Sequence, residues 1–410
     1  MNTLDPTAIV PPRVRTWQSF ALLLAILGEI FLAGDWYGFA AVMPLVSKTL
    51  SLTPAQAGFA QGAFAITYAI GMVVWSPLGR RMSARMLFAI GLVGSGLGMV
   101  LQGQVHAYDS LLALRFMIGF FDAAVWVGTM KLIVGWYPKK HHGATMGALL
   151  AAFSLAITLD FAIGVPMSTH HGWQAFFRLL GFATIAVGLF GAATLKGGPR
   201  DLGHADFRWD DAASHDHEHG STWSVLRRKW VWVGAAAIFG DLFAISAVST
   251  WVVPMYIEVQ KMAVADAAVV GSTMGLAQVV VLLAGGWLAD RVSRTAMLKT
   301  GALLALLAAL GFTFAATTSL GWGMMLALAA FSGIVVLSGG AIFSLVSQAY
   351  GETLAPTAIG FAELGGIASS FVAPALMGLI IGETHSFAQA FGAFAAVEAA
   401  VLVVLLWIAN

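Results

Sequence analysis

Twelve stretches of this 410-residue chain stay apolar for about 20 residues each, the length a helix needs to cross the ~30 Å hydrocarbon core of a bilayer. They are read as spans at 17–45, 57–78, 86–105, 111–136, 143–168, 173–195, 230–257, 267–288, 299–317, 322–345, 357–381 and 387–409. Charged residues make up 10% of the chain and hydrophobic residues 59%, which leaves too little polar surface to face water. The expected fold class is an all-α membrane protein with twelve transmembrane helices. Gly and Pro inside the spans do not argue against this, because membrane helices tolerate both.

The same counts exclude several functions. A net charge of +1 gives no basic surface for a nucleic acid. The absence of cysteine removes disulfides, thiol chemistry and Cys-based metal sites. No Gly-x4-Gly-Lys-Ser/Thr loop is present, so ATP-driven work is not expected. No Ser/His/Asp set sits on a recognisable elbow, so the chain is not expected to be an enzyme. Neither a cofactor nor a metal centre is expected. Gly91, Gly94, Gly96 and Gly98 lie inside a span with no strand before them, so they are read as helix-packing sites rather than a phosphate loop. The first apolar run is too long for a cleavable signal and lacks a small-residue cleavage site; it is expected to be the first span.

Lys and Arg indicate orientation. Arg13, Arg15, Arg80, Arg81, Arg85, Lys139, Lys140, the basic residues of 196–229, and Arg291, Arg294 and Lys299 fall on one side if twelve spans are counted. The positive-inside rule puts that side and both termini in the cytoplasm, with the cell inner membrane as the location. The one long polar segment, 196–229, divides the spans six and six. The expected organisation is an N-terminal bundle at 1–195, a cytoplasmic linker at 196–229 and a C-terminal bundle at 230–410. Two such halves around a midplane site form a recurring transporter plan. The linker carries His204, His215, His217 and His219. They are read as a solvated stretch with chance histidines, against a low-affinity metal-capture loop.

Between spans 8 and 9, Gly286-Trp-Leu-Ala-Asp290-Arg291-Val-Ser-Arg294 resembles the signature loop of the major facilitator superfamily. Ser76-Pro-Leu-Gly-Arg80-Arg81-Met-Ser-Ala-Arg85 is similar to a degraded copy of it, with Arg80 where the family usually has Asp. Arg115…Gly119 looks like the family's Arg…Gly motif. Together with Asp122, Trp136-Tyr137-Pro138, Gly172-Trp173-Gln174 and Thr250-Trp251-Val252-Val253-Pro254, it resembles the anion:cation symporter group. Trp36 departs from the pattern, because that group often has Arg after the Asp at position 35. The resemblance implies two pseudo-symmetric six-helix bundles and a gating role for Asp290, Arg291, Arg294, Arg80 and Arg81.

Ionisable groups at bilayer depth are costly, so each is a candidate for function. Burial favours the neutral form of a carboxyl group and a nearby cation its charged form, so such a group can trade a proton when its surroundings change. Asp35, Asp122 and Asp241 are the expected proton-coupling residues. Arg115 and Asp122 are seven residues apart, nearly two helical turns, and share a face. Arg115, Tyr68, Gln61, Trp251, Gln278, Asp160 and Glu363 are the candidate substrate-binding residues. Glu29 is left open, and Glu398 is read as structural because the last span is expected to be peripheral. Lys131 is expected to reach the inner interface along its apolar stem.

The expected activity is proton-coupled uptake of a small organic anion, a carboxylate or sugar acid, by alternating access. The alternative is proton-driven export of a cation, either a drug-like amine or a divalent metal, since mid-membrane carboxylates outnumber cations. The expected partners are a small-molecule substrate, protons and membrane lipid, with no nucleic acid. Nothing in the sequence marks an oligomer, so a monomer is expected.

Overall fold

The computed structural model describes residues 11–204, 222–289 and 291–408. His215, His217 and His219 of the linker, and Asp290 of the signature loop, lie outside the described residues. Among the described residues, twelve helices are long and apolar enough to cross a membrane. They are α1 (Pro12–Leu50), α2 (Pro54–Leu78), α3 (Ala84–Gln102), α4 (Tyr108–Trp136), α5 (His141–His171), α6 (Trp173–Thr194), α7 (Lys229–Glu258), α8 (Val264–Gly285), α9 (Arg294–Ala315), α10 (Trp322–Tyr350), α11 (Thr357–Thr384) and α12 (Phe387–Ile408). No strand occurs among the described residues.

Helix ends follow local polar chemistry rather than the limits of the apolar runs. Thr53 caps α2: its hydroxyl accepts from the Gln56 N–H at 3.2 Å, and Gln56 Oε1 accepts from the Thr53 N–H at 3.0 Å. Pro54 fits the first turn because its missing N–H would have no partner there. The helix therefore begins three residues before the expected span at 57. Ser83 caps α3 in the same way, accepting from the Met86 N–H at 3.2 Å.

Three features lie outside what hydropathy reports. The backbone of α5 widens into a π-helical turn over Asp160–Gly164. A 3-10 stretch, Gly333–Val336, interrupts α10. Helical backbone also runs without a break from Gly339 to Thr384, yet the chain folds back within it. Val346 and Ala362 both flank Gly234, although a straight helix would hold them ~24 Å apart.

Small residues set the closest helix contacts. A Cβ on Gly91 of α3 would lie 2.6 Å from the Val125 nitrogen of α4. On Gly96 it would lie 2.7 Å from the Gly181 carbonyl oxygen of α6. The glycine run thus seats α3 between α4 and α6 by backbone approach, as small residues do in membranes.

Helices from the two ends of the chain meet tightly at one end of the molecule. Gly62 of α2 abuts the Phe371 carbonyl of α11, and Gly58 abuts that of Pro374. Gly271 and Gly275 of α8 receive Phe161 and the Thr158 backbone of α5. Tyr37 Oη on α1 lies 3.2 Å from Ser246 Oγ on α7. These contacts form a seal at the end opposite the chain's N-terminus.

Candidate solute cavity

On the other side of that seal, the same helix pairs separate around a cavity of about 180 Å³. Its wall comes from α1, α2, α4, α5, α7, α8, α10 and α11. Three carboxyl side chains lie on it: Glu29 of α1, Asp241 of α7 and Glu363 of α11. No Lys or Arg lies on it among the described residues. Aromatic residues give it shape. Trp36 stacks on Phe64 with centroids 4.5 Å apart, lies 5.5 Å from Tyr68, and meets Phe153 edge-on at 6.3 Å.

Asp241 is held from across the wall: Ser338 Oγ of α10 lies 2.7 and 2.8 Å from its two oxygens. One hydroxyl proton can serve only one oxygen at a time, so the other stays available. One oxygen of Glu29 is buried and makes no hydrogen bond.

Of the expected binding and coupling residues, Asp241, Tyr68 and Glu363 come together on the cavity. Asp35, Asp122, Arg115 and Gln61 form a second cluster behind the wall, fully or almost fully buried. The Arg115 guanidinium is spent on backbone. It donates to the carbonyls of Ala60 (3.2 Å), Asp35 (2.8 Å), Trp36 (3.0 Å) and Gln61 (3.4 Å). The rings of Phe39 and Phe64 cover it, each with its centroid 5.3 Å away. Gln61 Nε2 adds a bond to the Trp36 carbonyl at 3.3 Å. One arginine therefore ties α4 to α1 and α2, and fixes the stretch of α1 that carries Trp36.

Asp35 accepts a bond from Thr184 Oγ1 at 3.3 Å, and its other oxygen makes none. Neither oxygen of Asp122 makes a hydrogen bond within the chain. Asp160 sits in the π turn of α5, with one oxygen unpaired and the other close to Gly34 of α1. Trp251 belongs to the seal, where its Nε1 donates to the Pro374 carbonyl at 3.1 Å. Gln278 is buried in α8 with neither side-chain atom hydrogen-bonded.

At the cavity end, Arg80 and Arg81 are exposed in the turn after α2. Arg291 is exposed in the turn before α9, and Arg294 donates to Gln348 Oε1 of α10. Lys131 extends to the same turn after α2. Its Nζ donates to the carbonyls of Gly79 and Met82, pairing the end of α2. Glu398 is fully buried, and a Cβ on Gly240 of α7 would lie 3.3 Å from its Oε2. Hydropathy gave no cue to either contact, because both depend on which helices become neighbours.

The profile of the Major Facilitator Superfamily matches residues 25–366. A protein named as a probable hexose phosphate transport protein of Chlamydia pneumoniae is 23% identical over 72% of this chain and 69% of its own length. The hexuronate transporter of Bacillus subtilis strain 168 is 21% identical over 90% of each chain. A crystal structure of a bacterial homolog of the human lysosomal transporter Spinster, inward-facing and occupied, superposes with a TM-score of 0.76 at 16% identity. It covers 96% of this chain and 97% of that one, which establishes a shared fold. With twelve spans, this fold and a profile match across most of its length, the chain belongs to the major facilitator superfamily.

Proposed function

We propose that this protein is a proton-coupled secondary transporter that takes up a small organic acid by alternating access. The observation that carries the reading is the trio Glu29, Asp241 and Glu363 on one cavity whose far end is sealed. Ionised carboxyl groups hold water, and removing it is costly. Closing the cavity end strips water from all three, so closure goes with protonation and reopening returns the protons. A solute enclosed with them is thereby tied to proton flow. Protonated carboxyl groups also donate hydrogen bonds, which the oxygens of an organic acid accept.

The names of the relatives, for hexose phosphate and hexuronate transport, support an acidic solute. Asp35 and Asp122 are assigned as a second proton-holding pair behind the wall. The basic residues at the cavity end support its placement in the cytoplasm, with both termini, in the inner membrane of the cell. The bundles 1–195 and 230–410 are the rocking bodies in this account, and 196–229 links them. One chain encloses the whole cavity, which supports a working monomer.

A wall with three carboxyl residues and no Lys or Arg among the described residues favours a second reading, exchange of an organic cation for protons. Proteoliposomes with an imposed pH gradient separate the two. Under uptake of an acid, an acidic exterior drives accumulation of a carboxylate. Accumulation of amines alone against proton flow would replace the first reading with the second. Fluxes indifferent to the gradient would remove both.

A further inference from the structure

We propose that the solute is a monocarboxylate with an aromatic or otherwise apolar body, rather than a sugar acid or a phosphate ester; this rests on the transport reading above. The cavity wall is mostly hydrocarbon and ring: Leu32, Trp36, Met72, Trp126, Phe153 and Phe343 lie on it. Hydroxyl groups on the wall come only from Tyr68, Ser154 and Ser370 among the described residues. A hexose derivative brings a hydroxyl on almost every carbon, and each loses water on entry and needs a partner. This wall offers them those three hydroxyls and three carboxyl groups, and nearly all the rest of its surface is ring and hydrocarbon. An aromatic ring loses nothing of that kind, and it stacks on the indole and phenyl faces already present.

Charge narrows the class further. A phosphate ester carries nearly two negative charges at neutral pH and is held in proteins by Arg or Lys. Arg115 is committed to four backbone carbonyls behind the wall. A single carboxylate needs less. It can be met by protonated Glu29 or Glu363 and by neutral donors.

Two wall residues carry such donors buried and without a partner in the chain. Trp36 is 6% exposed and its Nε1 makes no hydrogen bond within the chain. Ser370 is 1% exposed and its Oγ makes none either. An indole N–H can only donate, so it asks for a ligand oxygen. An ammonium group brings only donors and leaves that N–H unmet. The stacked rings and the clamp on the Trp36 carbonyl keep this donor in place.

The test uses the full-length protein in proteoliposomes, with an acidic exterior for benzoate, glucuronate and glucose 6-phosphate and an acidic interior for phenethylamine. It counts only uptake above that of protein-free liposomes, which neutral benzoic acid and neutral amine enter unaided. Benzoate is expected to accumulate, and glucuronate and glucose 6-phosphate are not. Trp36→Phe keeps the ring stack and removes the donor, so the apparent affinity for benzoate should fall about tenfold. Ser370→Ala gives a smaller loss and an independent readout if the first variant folds poorly. Preference for either sugar derivative over benzoate overturns the inference, as does unchanged benzoate affinity in both variants. Movement of phenethylamine alone, against protons, overturns it while proton coupling stands. A benzoate flux that ignores the pH gradient removes the coupling instead and leaves the solute class in place. No flux of any probe removes both.

Discussion

Arg115 illustrates how far a residue's role depends on what surrounds it. In sequence it is a buried cation within reach of a solute. In the fold its guanidinium faces four backbone carbonyls and two phenyl rings, and the cavity lies beyond them. A lysine cannot reproduce that fork, because one ammonium cannot reach all four carbonyl acceptors at once. Arg115→Lys should lower stability by about 1.5–3 kcal/mol, the worth of one charged hydrogen bond, read as a lower unfolding temperature in detergent. An unchanged unfolding temperature would mean that the clamp contributes little. Asp241, Glu363 and Tyr68 were legible as site candidates because a polar group deep in a span has few other reasons to be there. Sequence could not separate them from Asp35 or Asp122, since rotation of each helix decides which acid meets the cavity. Trp36 carries no charge and so gave no signal at all beyond its departure from a family pattern.

Helices were easier to read than their joins. Apolar length alone located twelve spans, because twenty apolar residues in a row have no other stable home. The capping box at Thr53, the π turn at Asp160–Gly164 and the fold-back after α10 were not legible that way. Each depends on hydrogen-bond geometry or on neighbours that hydropathy ignores. Packing of α2 against α11 makes a sharp prediction. A Cβ on Gly382 would lie 3.9 Å from that of Ala55, within the range a disulfide requires. The natural chain has no cysteine, so an introduced pair has no competitor. Ala55→Cys with Gly382→Cys should cross-link under mild oxidation, and the oxidised protein should lose transport and regain it on reduction. Failure to cross-link would mean that the seal between α2 and α11 is not formed in the membrane.

At the scale of the whole molecule, the seal and the cavity are two ends of one rocking unit, and the cavity carboxyl groups set the balance between them. Ionised Glu29, Asp241 and Glu363 keep the cavity end wet and open, which keeps the far seal shut. Protonated, they let the cavity end close, and the seal at Ala55 and Gly382 must then part. Neutral substitution at Asp241 removes part of this sensitivity without touching the seal. The most direct measurement is the spin-label distance between Ser51→Cys and Glu383→Cys, exposed positions beside that contact, in lipid, taken in alkaline and acidic buffer by double electron–electron resonance. The account predicts a short distance at alkaline pH and a growing long-distance population at acidic pH. Adding Asp241→Asn should enlarge the long-distance population at both. One short distance at every pH, with or without Asp241→Asn, would contradict it.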